Sequence, residues 1–131
     1  MSNLSGHCNC GAIKVTIPGD SIQGLCHCTS CRRSSGSICS GNFVVQKKDL
    51  QIAGEPKVYT AKGSSGNDTY RYFCGTCGSA IYTGLEAGDP NFVKTGLFNP
   101  GDVPAPKMEL FCRNMESWEK VHEGAERKEE Q

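Results

Sequence analysis

Seven of the nine cysteines in this chain fall into three tight clusters: Cys8-Asn9-Cys10, Cys26-His27-Cys28-Thr29-Ser30-Cys31 and Cys74-Gly75-Thr76-Cys77. Sulfurs two or three residues apart are poorly placed to bond to one another. They are well placed to close on one small ion, and Zn²⁺ takes about four such ligands in a tetrahedron at ~2.3 Å. Seven sulfurs divide naturally into four plus three. A four-thiolate site would be closed and structural, whereas a three-thiolate site leaves a position for something else.

Size sets how much such cross-links matter. A chain of 131 residues is read as one domain, and with 37% hydrophobic residues and sixteen glycines it favours turns and short strands over long helices. A modest core of this kind gains from metal staples. Fourteen basic residues balance fourteen acidic ones, so no net field draws the chain to nucleic acid or to an anionic membrane. The opening Met1-Ser2-Asn3-Leu4-Ser5-Gly6 lacks the apolar run of a signal peptide, and no stretch approaches membrane-spanning length. The expectation is a reducing setting, cytoplasmic or alternatively nuclear, where clustered cysteines bind metal more often than they form disulfides.

The local pattern is mostly β. Ile13–Ile17 alternates apolar and polar residues and ends at Pro18-Gly19-Asp20, the signature of a half-buried strand, with Ser21–Leu25 a weaker strand leading into the second cluster. Short strands are also predicted at 42–46, 50–53, 57–61, 69–73, 80–83, 92–95 and 108–112, separated by turn chemistry such as Gly54-Glu55-Pro56 and the 63–68 segment. Thr29–Ser34 is read as a short helical turn capped by Thr29 or Ser30 and ended by Gly36. A further short helix is expected at 116–121. Residues 1–122 form the expected domain, and the charged tail 123–131 is expected to fray. Tyr59, Tyr70, Tyr72, Tyr82, Phe73 and Phe92 are assigned to the core, and Trp118 to packing the final segment onto the sheet.

Cys74-x-x-Cys77-Gly78 reads as a zinc-knuckle half-site, because the glycines and the strand-like flanks argue against the helix that a redox pair would open. Its natural partner is Cys8/Cys10, giving a closed four-sulfur site, with His7 a substitute ligand. Cys26, Cys28 and Cys31 can grip one face of a metal. Whether Cys39 or Cys112 completes that second site is open on the residues alone, and His27, between two inward sulfurs, is expected to point away from the metal. Arg32 and Arg33 are candidates to clamp a substrate carboxylate, and 35–37 to offer backbone N–H donors.

Taken together, Gly6-x-Cys8-x-Cys10-Gly11-Ala12, Cys26-His27-Cys28-x-x-Cys31-Arg32-Arg33-x-Ser35-Gly36-Ser37 and Phe73-Cys74-x-x-Cys77-Gly78-Ser79 resemble the glutathione-dependent formaldehyde-activating enzyme family, which includes centromere protein V-like members. The resemblance implies a zinc-stapled β-tent of short antiparallel strands. It implies two Zn²⁺ per chain: a structural ion on Cys8, Cys10, Cys74 and Cys77, and a catalytic ion on Cys26, Cys28 and Cys31. The implied activity is that of a carbon–sulfur lyase, joining glutathione and formaldehyde as S-hydroxymethylglutathione. Three thiolates on a divalent ion leave a charge of about −1, which suits holding a thiol as thiolate better than making hydroxide. No proton donor stands out in the sequence. The rival expectation is a zinc-stabilised module that binds a protein partner and performs no chemistry, and a third is a thiol redox sensor at Cys28 and Cys31.

Overall fold

The computed structural model describes residues 2–63 and 65–131; Met1 of the polar opening and Ser64 of the 63–68 turn lie outside the described residues. In chain order the strands are β1 (Leu4–His7), β2 (Lys14–Ile17), β3 (Ile22–Cys26), β4 (Ser40–Val45), β5 (Gln51–Ala53), β6 (Lys57–Lys62), β7 (Asp68–Phe73), β8 (Ala80–Leu85), β9 (Asn91–Lys94), β10 (Met108–Leu110) and β11 (Glu126–Arg127). One α-helix, α1 (Thr29–Ser35), lies between β3 and β4. The fold is therefore mainly β, as its alternating segments predict. β1 escapes sequence reading because Ser5-Gly6-His7 carries no apolar alternation.

The strands make two sheets, a small one ordered β1-β2-β5 and a large one ordered β11-β10-β3-β4-β9-β8-β7-β6. Most pairings are antiparallel, but β10 runs parallel to both β3 and β11. Strand alternation then decides what lies where, since successive side chains point to opposite faces. On β2, Val15 and Ile17 are buried, while Lys14 is exposed and Thr16 half-buried. They meet Phe43 and Val45 of β4, Val93 of β9 and Ile81 of β8 in one core between the small sheet and a single face of the large one. Phe43 is fully buried and meets Phe98 edge-on at 5.1 Å between ring centroids. β1 approaches closely the turn that follows β9, where a Cβ on Gly6 would stand 2.7 Å from the Leu97 carbonyl oxygen, so only glycine fits.

The other face of the large sheet is not covered by the small one. Asn42 and Val44, the alternate residues of β4, point there, and so do Phe92 and Lys94 of β9. That uncovered face is where the cavity described below forms.

The C-terminal third departs from expectation. Residues 116–121 form turns and not a helix, and Trp118 is 68% exposed, so it does not pack onto the sheet. Tyr59 is likewise exposed, on the edge strand β6, and contributes nothing to the core. The loop is held by carboxylates instead. Glu109 is buried and accepts from the His122 N–H at 2.6 Å, and Glu119 accepts from the Glu116 N–H at 2.6 Å. Beyond it the charged tail is tied to β10 by backbone hydrogen bonds, including Phe111 N–H to Glu130 O and Lys128 N–H to Glu109 O.

The core argument makes a direct prediction. Phe43→Ala is expected to cost about 3–5 kcal/mol, read as a fall in the urea midpoint with an unchanged slope. A loss under about 1 kcal/mol would show that the core does not close on this ring.

Candidate functional site

The cysteine clusters sit at the ends of strands, as their turn-forming neighbours require. Cys8 and Cys10 occupy the β1–β2 turn. There the Cys8 N–H bonds to the Ile13 carbonyl at 3.1 Å, and the Gly11 N–H bonds to the Cys8 carbonyl at 3.0 Å. Cys74 and Cys77 occupy the β7–β8 turn, closed by Gly78 N–H to Cys74 O at 2.8 Å. The fold brings these two turns together. All four sulfurs lie within 4.8 Å of one another, with Cys8 to Cys10 and Cys10 to Cys74 both at 3.7 Å. A disulfide would need about 2.05 Å. Sulfurs at the corners of a tetrahedron with ~2.3 Å metal bonds stand about 3.8 Å apart, so the cluster fits a metal. Backbone and hydroxyl donors favour the thiolates: the Ile13 N–H reaches the Cys8 sulfur at 3.3 Å. Ser79, through its hydroxyl and its backbone N–H, holds the Cys77 thiol down at about 5. His7 is not in the cluster; its exposed ring donates from Nδ1 to the Cys8 carbonyl.

Cys26, Cys28 and Cys31 form the second cluster, again within 4.8 Å of one another. Cys26 ends β3 and Cys31 sits in the first turn of α1. Between them, Cys28 caps the helix: its sulfur accepts from the Cys31 N–H at 3.1 Å. The cap predicted at Thr29 or Ser30 is thus a sulfur one residue earlier. Gly36 ends the helix in the left-handed conformation, as expected. The N–H groups of Gly36 and Ser37 are spent on the last carbonyls of α1 and are not available to a substrate.

His27 points away from the sulfurs. It is buried, its Nε2 donates to Glu109 Oε1 at 2.7 Å, and Glu119 lies 3.6 Å from its Nδ1. Cys112 donates to the Glu109 carbonyl at 3.3 Å, and neither Cys112 nor Cys39 joins the cluster among the described residues. Arg32 bonds to Glu116 at 3.0 Å and Arg33 is exposed; neither lines the cavity beside the cluster.

That cavity, about 370 Å³, lies on the uncovered face of the large sheet, with all three sulfurs in its wall. Its cations are ones that the sequence pattern does not single out. Arg71 on β7 reaches across to α1, donating to Ser30 Oγ at 2.8 Å and Ser34 Oγ at 3.1 Å, with Cys31 Sγ at 3.8 Å. Lys94 on β9 is 9% exposed and donates to Ser40 Oγ at 2.9 Å and Asn42 Oδ1 at 2.8 Å. No carboxylate pairs with it among the described residues. Burial therefore pulls its pKa down to about 8, against the pull of the neighbouring thiolates. The same proximity works on the sulfurs. Hydrogen bonds from Cys26 and Cys28, aided by Lys94 and Arg71, hold the Cys31 thiol far below the ordinary thiol range, so negative charge gathers there first. Lys62 and Arg113 also line the cavity, each paired with a carboxylate of the chain, Asp68 at 2.8 Å and Glu130 at 3.4 Å. Phe111, also in the lining, holds a left-handed φ of 55°, a strained conformation for a bulky residue and one found disproportionately at functional sites.

No helix among the described residues is long and apolar enough to cross a membrane. Comparison with curated proteins yields no match. A crystal structure of a Rhodobacter sphaeroides protein, a Northeast Structural Genomics target, aligns over 77% of this chain and 98% of that one. The TM-score is 0.57 at 22% sequence identity, a likeness that speaks to the fold alone. The sequence model of one family matches residues 3–114, a span that holds both sulfur clusters, Arg71 and Lys94. On that match the chain belongs to the glutathione-dependent formaldehyde-activating enzyme family.

Proposed function

We propose that this protein is a zinc-dependent carbon–sulfur lyase acting on glutathione adducts, which interconverts glutathione plus formaldehyde and S-hydroxymethylglutathione. The observation that carries this reading is the asymmetry of the two clusters. One has four sulfurs linking two turns, while the other has three sulfurs in the wall of a cavity lined by cations. Soft thiolate sets favour zinc over harder divalent ions. Cys8, Cys10, Cys74 and Cys77 would hold a structural zinc, and Cys26, Cys28 and Cys31 a catalytic one. The catalytic ion would supply a means of keeping a substrate thiol deprotonated.

The chain's own residues account for the rest. Arg71 fixes α1 and its sulfur against β7 through Ser30 and Ser34. Lys94 places a positive charge beside the triad, where negative charge develops when a thiolate adds to a carbonyl. Lys62 and Arg113, held in surface pairs with Asp68 and Glu130 that a ligand carboxylate can displace, suit the carboxylates of a tripeptide thiol. Bringing thiol and aldehyde together in this pocket lowers the barrier chiefly through proximity. The reaction and the thiolate chemistry suit a reducing compartment such as the cytoplasm. The non-catalytic alternative needs a fourth sulfur from Cys39 or Cys112, and neither stands in the cluster.

Two measurements test this. Native mass spectrometry is expected to find two zinc ions per chain, with Cys31→Ser losing one while the circular dichroism spectrum is kept. Cys74→Ser is expected to lose the other and to destabilise the fold more than Phe43→Ala does. A single zinc in the unmodified protein would overturn the two-site reading. Exchange NMR with glutathione and formaldehyde is expected to show faster adduct exchange with catalytic amounts of protein, abolished by replacing Cys26, Cys28 and Cys31 together with serine. Unchanged exchange in the triple variant would remove the assigned role of the triad.

A further inference from the structure

The cavity is larger and more apolar than formaldehyde requires. Formaldehyde is little bigger than water, whose share of liquid volume is about 30 Å³, while the cavity holds about 370 Å³. Glutathione would account for part of that space, but glutathione is built of amides, carboxylates and an ammonium. Its few methylenes, each flanked by polar groups, are a poor match for a continuous wall of Val44, Leu85, Phe92, Met108 and Leu110.

The order of residues along the strands is more telling than the volume. Asn42 of β4 stands opposite Lys94 of β9, and Val44 stands opposite Phe92. Two residues along each strand return to the same face, so a polar pair beside the sulfurs gives way, roughly 7 Å further on, to an apolar pair. Thr83 of β8 stands opposite Phe92, and Leu85, two residues on, extends the apolar wall. The polar pair also has a donor to spare. An ammonium carries three N–H donors, and Lys94 spends two of them on Ser40 and Asn42. The third has no acceptor among the described residues.

Resting on the carbon–sulfur reading above, we propose that the electrophile this site prefers to formaldehyde is an aldehyde with an apolar alkyl or aryl body. Its carbonyl oxygen takes the free N–H of Lys94, and its body lies along Val44, Phe92 and Leu85. In the forward direction the thiolate sulfur adds to the carbonyl carbon and forms the C–S bond, while the π pair of the carbonyl moves to oxygen. That oxygen takes a proton from Lys94, which recovers from water the proton the thiol released. The reverse sequence breaks the C–S bond. Lys94 is then the proton donor that the sequence does not reveal, and a catalytic residue in the strict sense.

The test uses glutathione with hexanal or formaldehyde in exchange NMR, together with calorimetric binding of S-hexylglutathione and S-methylglutathione, which cannot react. Hexanal exchange is expected to be accelerated over its uncatalysed rate more than formaldehyde exchange is. S-hexylglutathione is expected to bind roughly ten- to a hundredfold tighter than S-methylglutathione. Val44→Trp and Phe92→Ser, which fill and roughen the recess independently, should each bring that binding ratio close to one; a folding defect in either leaves the other to decide. Lys94→Met should slow the exchange of both aldehydes at least tenfold while keeping the hexyl preference. Acceleration of formaldehyde alone, with equal binding of the two thioethers, would overturn this proposal and leave the carbon–sulfur reading standing. Acceleration of neither aldehyde would overturn that reading and this one together.

Discussion

The rest of the structure depends on a meeting of sulfurs that are far apart in sequence. Cys10 and Cys74 approach to 3.7 Å across sixty-four residues, joining the turn of a hairpin in the small sheet to the turn of a hairpin in the large one. Four thiolates cannot share so small a volume as charges without a cation among them, because like charges at that distance repel strongly even at moderate dielectric. The binding energy of a metal there would therefore be folding energy. It would be delivered where a core of only a dozen buried apolar side chains among the described residues needs help. With the sheets pinned at that end, the single-faced core can form, and the opposite face of the large sheet is left free.

That free face is where charge is handled unusually. Proteins seldom bury a lysine without a carboxylate, because desolvation of the ammonium is uncompensated. Lys94 is buried beside hydroxyl and amide oxygens, and its countercharge comes from the triad across the cavity. Arg71 is placed likewise. The two cations and the Cys31 sulfur favour one another's charged forms, and the resulting field lies at the wall of a cavity that a small molecule can enter. On the far side of the triad, His27 and the buried Glu109 do comparable work for the backbone, anchoring the turns that follow β10.

The sulfur clusters were legible because spacing encodes them: a two- or three-residue interval is local, and local geometry survives any fold. Strand segments such as Lys14–Ile17 were legible for the same reason, since burial alternates along them. Lys94 and Arg71 were not. Each is an unremarkable charged residue in a strand, and its meaning lies in a partner fifty-two or forty-one residues away, Asn42 for one and Ser30 for the other. Trp118 and Tyr59 misled because residue type predicts burial only on average, and both stand where no second layer covers them. The tail misled in the opposite sense. Its charges promise solvent, yet it is held through backbone hydrogen bonds to β10, which side-chain pattern does not record.

The capping of α1 by Cys28 ties conformation to chemistry. A helix of seven residues has no independent stability. This one begins at a sulfur that also belongs to the triad, and the N–H it accepts from is that of Cys31, the next member. The capping bond strengthens when the sulfur is anionic and weakens when it is protonated or blocked. Whatever holds Cys28 as thiolate therefore also strengthens the first turn of the helix, and whatever modifies its sulfur weakens the cap of the element that presents Cys31. Charge at one sulfur and the winding of the helix that carries the next are in this way coupled through a single hydrogen bond.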